Sequence, residues 1–238
     1  MCSDLENRYI DVVRRIHAAC GRAGRDPSTV QLMAVSKTQH PDDIAAVAAL
    51  GIETFGENRV QEARGKIPLC SSRLHWHLIG HLQSNKAREA VHLFEMIHSV
   101  DSLRMLETLD RFAADEGRSL PVCLEINVSG ERSKFGMSPE QVEETLAAAN
   151  RLFKVKVVGL MTIPPLAEEP EEARPFFRAL REIRDRMQLA TGLGLPELSM
   201  GMSHDFEVAI EEGATWIRVG TLLFGPRKRR EADEPDQN

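Results

Sequence analysis

QLMAVSKTQHPDDIAAVAAL, residues 31–50, reads as a strand followed at once by a helix. Gln31–Ser36 is a short, mostly apolar run of strand length. From Pro41 onward Ile44, Val47 and Ala48 recur at three- and four-residue spacing, as on one face of a helix. Pro41 suits a first helical turn and Gly51 suits a stop. Working outward, the same unit repeats. Further strands are predicted at Ile52–Gly56, Leu74–Gly80, Met96–Val100, Val122–Val128, Val155–Met161, Glu197–Gly201 and Thr215–Gly220. Helical patterns lie between them, among them SLRMLETLDRFAAD (102–115), SPEQVEETLAAANRLF (138–153) and EEARPFFRALREIRDRMQ (171–188). Ser138, Pro139 and Gln141 have the spacing of a capping box, and Asp101 or Ser102 can cap the helical run through Ala114.

Strands that alternate with helices pair in parallel through right-handed crossovers. Several strands are apolar on both faces, as a sheet covered by helices requires. Eight such units in 238 residues predict a single (β/α)8 TIM barrel over residues 1–230. Leu5–Ala23 adds an extra N-terminal helix, and residues 231–238 read as a disordered tail. The competing fold, an open doubly wound sheet, calls for a glycine-rich loop after the first strand. The sequence there is SKTQHPDD, without glycine.

A net charge of −6 argues against broad nucleic-acid binding, which wants a basic face. The run Arg227–Arg230 is balanced by the acidic residues that follow it. Four cysteines at 2, 20, 70 and 123 form no C-x-x-C pair, and Cys123 lies in an apolar run as a packing residue. The N-terminus has no signal-peptide core, and no apolar stretch reaches the ~20 residues of a membrane span. The expectation is a cytoplasmic protein without membrane or nucleic-acid partners, working as a monomer.

Lys37 follows the first strand, at the end that forms the mouth of a barrel. Its position leaves open a solvated lysine or an amine nucleophile able to form an imine. Far away in sequence, LSMGMSHDFEVAI (198–210) and WIRVGTLLFG (216–225) place Ser199, Gly201 and Ser203, then Arg218, Gly220 and Thr221, at the last two strand ends. Taken singly these are turn residues. Together, in the loops where barrels often hold phosphate, they can form an anion cradle. Strand eight closes beside strand one, so a phosphorylated aldehyde held there would lie near Lys37. That pairing suits pyridoxal 5'-phosphate, with Arg218 facing either the pyridine nitrogen or the phosphate. His75 and His77 share a strand face, but no carboxylate or cysteine accompanies them at ligand spacing.

These stretches, with AVSKTQ around Lys37, FGENRVQE (55–62), WHLIGHLQSNKAR (76–88), INVSGERSKFGM (126–137) and GLMTI (159–163), resemble the YggS/PROSC family of pyridoxal phosphate homeostasis proteins nearly end to end. The resemblance implies a barrel like the N-terminal domain of alanine racemases and a Schiff base on Lys37. It implies phosphate contacts from Ser199, Met200, Gly201, Gly220 and Thr221, and Arg218 near the pyridine nitrogen. Asn58 and Met161 would line the pocket, and Lys134 matches a lysine proposed to assist cofactor transfer. Arg59 stands where many relatives carry a tyrosine. The implied role is buffering and delivery of the cofactor, with transient contacts to pyridoxal-phosphate-dependent apoenzymes. The alternative is an enzyme with weak racemase or transaminase activity. Racemases of this fold use a tyrosine from a second domain, whereas Tyr9, the one tyrosine here, lies in the leading helix.

Overall fold

The computed structural model describes residues 3–131 and 133–226. The predicted tail at 231–238, the Arg227–Arg230 run and Cys2 lie outside the described residues. Eight parallel strands close into a barrel in sequence order. They are β1 (Gln31–Val35), β2 (Thr54–Glu57), β3 (His75–Leu78), β4 (Met96–Val100), β5 (Leu120–Glu125), β6 (Val155–Met161), β7 (Glu197–Met202) and β8 (Trp216–Val219). The open-sheet alternative is excluded, because β8 pairs with β1 through Gln31–Trp216 and Met33–Arg218.

Helix α1 (Asp4–Ala23) precedes the barrel, as the leading helix was expected to do. A capping box opens it, with the Glu6 N–H donating to Ser3 Oγ and the Ser3 N–H donating to Glu6 Oε2. Gly24, at φ +63°, ends it. The connecting helices are α2 (Pro41–Ala48), α3 (Val60–Lys66), α4 (Ala87–Leu93), α5 (Leu103–Asp115), α6 (Val142–Ala149), α7 (Arg174–Thr191), α8 (Phe206–Glu211) and α9 (Thr221–Phe224). Arg15 of α1 makes a bidentate bond to Glu207 of α8, and Arg8 donates to the Leu223 carbonyl of α9. The extra helix is thereby fastened where the barrel closes. Among the described residues, no helix is long and apolar enough to cross a membrane.

Side chains alternate along each strand between the helix-facing core and the lumen. The large outer core includes Phe55, Phe94, Phe177 and Phe206, all buried. Cys123 packs in the lumen with Met96 and Met161. The predicted fifth strand ran to Val128, but the ladder stops at Glu125. There the chain turns back on itself, with the Met137 N–H donating to the Glu125 carbonyl and the Asn127 N–H to the Met137 carbonyl. This local pairing takes the backbone groups that a longer β5 would need.

Candidate functional site at the barrel mouth

Lys37 sits one residue past Ser36, in the turn that leaves β1. Thr38, at φ +65°, is the one described non-glycine residue in the left-handed region. The Thr38 N–H donates to Glu62 Oε1 at 2.5 Å. Lys66, also on α3, reaches back under the turn. Its ammonium donates to the Ser36 carbonyl (2.7 Å), Glu57 Oε1 (2.7 Å) and Glu62 Oε1 (2.6 Å). The Ser36 hydroxyl donates to Glu57 Oε1 at 2.7 Å. Glu57 and Lys66 are both buried. Burial pushes the Glu57 carboxyl up, and Lys66 and Ser36 oppose that shift.

Below the mouth, Arg218 of β8 is 3% exposed. One of its terminal nitrogens donates to Ser199 O and Oγ, and the other to the Thr162 carbonyl, all at 2.9 Å. Its Nε makes no hydrogen bond among the described residues. The chain of contacts continues from Ser199 Oγ to His98 Nδ1 (2.8 Å), and from His98 Nε2 to His77 Nδ1 (3.0 Å). A guanidinium can only donate, so Ser199 Oγ accepts from Arg218. The Ser199–His98–His77 links close with the protons running in either direction, each imidazole carrying one ring proton. Both rings are then neutral. Burial pulls His77 down to about 4, with His75 adding to it. Burial, then His77 and Arg218, holds His98 well below the usual imidazole range.

Glu125 ends β5 at 6% exposure, and its carboxyl has no hydrogen bond or ion pair among the described residues. Burial raises its carboxyl to about 7; Arg218 opposes this shift and Asp101 adds to it. On the far side of the mouth, the two final loops are tied by the Gly220 N–H donating to Ser203 Oγ at 3.2 Å. Gly201 has φ +90°, and a Cβ there would lie 2.5 Å from the Ala209 side chain. Only glycine lets α8 start this close to the strand. Thr221 opens α9 and is exposed, and the first amides of α9 have no partner within the helix.

The structure brings together Lys37, Gly201, Arg218, Gly220 and Thr221 at one end of the barrel. Asn58, just after β2, has a buried Oδ1 with no partner. Met161 lies in the lumen at the tip of β6. Two residues of the expected phosphate set engage their side chains within the protein. The Ser199 hydroxyl is committed to Arg218 and His98 inside the barrel. The Met200 side chain packs in the helix-facing core, so only its backbone is free to meet a ligand. Lys134 lies on the β5–α6 loop, held by a 3.4 Å bond to the Ile163 carbonyl and a 3.6 Å pair with Glu131. Beside it the Phe135 ring stacks on His81, with centroids 3.8 Å apart. His75 pairs with Glu95 rather than with His77. Among the described residues, no group of three or more His, Cys, Asp or Glu could hold a metal.

Sequence reading missed Glu125, His98 and the Glu57–Glu62–Lys66 cluster. Glu125 carries a visible signal, as a charged residue closing the apolar run LPVCL. Glu62 and Lys66 stand four apart on one helix, the spacing of an ion pair, but nothing in the sequence says that the pair is buried.

A closed barrel with a lysine at its first strand tip and an arginine floor on its last defines a class. Residues 13–228 match the family described as alanine racemase, N-terminal domain. The fold agrees with a solved alanine racemase from Clostridium difficile, at TM-score 0.67 and 14% identity over 90% of this chain and 56% of that one. The nearer likenesses are more specific. A pyridoxal phosphate homeostasis protein of Aquifex aeolicus is 47% identical, over 93% of this chain and 97% of its own length. The structure of PipY from Synechococcus elongatus with PLP bound is 43% identical, covering 90% of this chain and 100% of that one at TM-score 0.79. The chain belongs to the pyridoxal phosphate homeostasis protein family.

Proposed function

We propose that this protein binds pyridoxal 5'-phosphate as a Schiff base on Lys37 and serves to buffer and deliver it in the cytoplasm. The observation that carries the reading is the Lys37 turn, at the mouth of a barrel where several polar side-chain atoms have no protein partner. Asn58 Oδ1 has no partner, and Arg218 Nε and the Glu125 carboxyl have none among the described residues. These groups fit a small heteroaromatic ligand. When bound, the cofactor would supply an aldehyde able to condense with the Lys37 amine with loss of water. The chain's own residues do the rest. Gly201 and Thr221 offer a backbone amide and a hydroxyl to the phosphate, beside Gly220, whose N–H donates to Ser203 Oγ. Arg218, oriented by Ser199 and Thr162, presents a fixed cation to the pyridine nitrogen and disfavours a proton there. That weakens the ring as an electron sink and suits storage better than turnover.

Residual turnover of amino acids is the second reading, and Glu125 favours it as a carboxyl able to hold or release a proton near neutrality. The test loads the protein with pyridoxal phosphate and mixes it with a pyridoxal-phosphate-dependent apoenzyme. The expected outcome is recovery of the apoenzyme's activity, with no change in free amino acids when the loaded protein is incubated alone. Robust, Lys37-dependent racemisation or transamination by the loaded protein alone overturns the carrier reading.

A further inference from the structure

We propose that Glu62, backed by Lys66 and Glu57, is a positioning residue that locks the turn carrying Lys37 in its left-handed conformation. The inference rests on the reading of Lys37 as the attachment point and adds what prepares it.

Thr38 is β-branched, and such a residue at φ +65° is strained. It keeps that conformation only if its surroundings demand it. The demand comes from Glu62 Oε1, which accepts from the Thr38 N–H and from the Lys66 ammonium. Lys66 spends its remaining donors on the Ser36 carbonyl and Glu57 Oε1. Ser36 and Thr38, the two neighbours of Lys37, are therefore tied to one ammonium–carboxylate cluster. Lys37 makes no hydrogen bond among the described residues. The cluster grips both flanks and leaves the amine between them free.

The geometry also separates the two lysines chemically. All three Lys66 protons are engaged and the residue is 7% exposed, so Lys66 is not an available amine. Nor is net stability a sufficient reason for the cluster, because buried ion pairs often stabilise a fold no better than apolar residues would. Holding a strained turn in one conformation is what this arrangement does and an apolar core would not.

The experiment follows adduct formation after pyridoxal phosphate is added to the cofactor-free protein. Absorbance gives the rate, borohydride reduction with mass spectrometry gives the site, and thermal midpoints are recorded in parallel. Glu62 is half-buried on a helix surface, so Glu62→Ala is expected to fold. It should form the Lys37 adduct about tenfold more slowly or worse, the scale of a lost charge-assisted hydrogen bond. Glu62→Gln keeps an oxygen for both donors and should stay close to the parent rate. Adding Thr38→Gly to Glu62→Ala should recover most of the rate, because glycine enters the left-handed region without strain. If the parent protein forms its adduct at Lys37 and Glu62→Ala matches its rate, the latch is wrong, even with a lowered midpoint. A slow Glu62→Ala that glycine does not relieve also overturns it. A parent protein unmodified at Lys37 overturns the underlying reading instead.

Discussion

Two lysines border the same mouth, and the fold treats them in opposite ways. Lys37 stands on a turn whose neighbours are held by bonds of 2.5–2.7 Å to buried or half-buried charges. Lys134 stands on a loop and is held by contacts of 3.4 and 3.6 Å, with Glu131 itself exposed. The difference teaches what each can do. A covalent attachment point gains from a fixed approach. A group that meets the cofactor only during handover gains from freedom to move. On the proposed reading the two roles differ in the support beneath each amine, since the amines themselves are the same.

The comparison can be broken at its strongest point first. Lys66→Met removes the cation between Glu57 and Glu62 and leaves a buried carboxylate unpaired, at a cost of about 3–5 kcal/mol by denaturant unfolding. A loss under 1 kcal/mol would mean that the Lys37 turn has no buried support to lose.

The next test lies at the root of the Lys134 loop. In the unfolded chain Glu125 ionises near its ordinary 4.5, and in the fold near 7. Between these values the folded chain keeps a proton that the unfolded chain has released, so stability falls as pH rises through that window and stays lower above it. Glu125→Gln removes the penalty. It should be more stable than the parent by about 3 kcal/mol at pH 8 and nearly equal to it at pH 4. Equal stability at both pH values would put the Glu125 carboxyl in water.

The smallest effect is expected at Lys134 itself. Lys134→Ala should shift unfolding by under about 0.5 kcal/mol, as for an exposed pair. A larger loss would make Lys134 a structural lysine and erase the contrast.

Much of the barrel was legible from alternation alone. Periodicity reports which face of a segment is buried, and parallel strands between helices leave few topologies. β4 and β6 begin and end where the apolar pattern does. Strand ends were less legible where backbone pairing competes, as at Glu125, whose carbonyl accepts from Met137 twelve residues on. The placement of Lys37 and Arg218 at one end of the barrel was legible because a strand end and a barrel seam follow from the strand count. Met200 illustrates the limit. It shares a motif with Ser199 and Gly201, yet alternation turns its side chain to the helix-facing core. Ser199 was legible as a strand-end residue but not as the link between Arg218 and His98, which stand 19 and 101 residues from it on separate strands and meet it only in the closed lumen. The Glu57–Lys66 contact was hidden for a similar reason, since burial under a turn depends on packing that no local pattern encodes.

The most direct measurement is peptide mapping of the intact protein after pyridoxal phosphate and borohydride. The account predicts a stable pyridoxyl mass on Lys37, with none on Lys66 and no more than traces on Lys134. A label on Lys134 with Lys37 unmodified, or no label on any lysine, would contradict it.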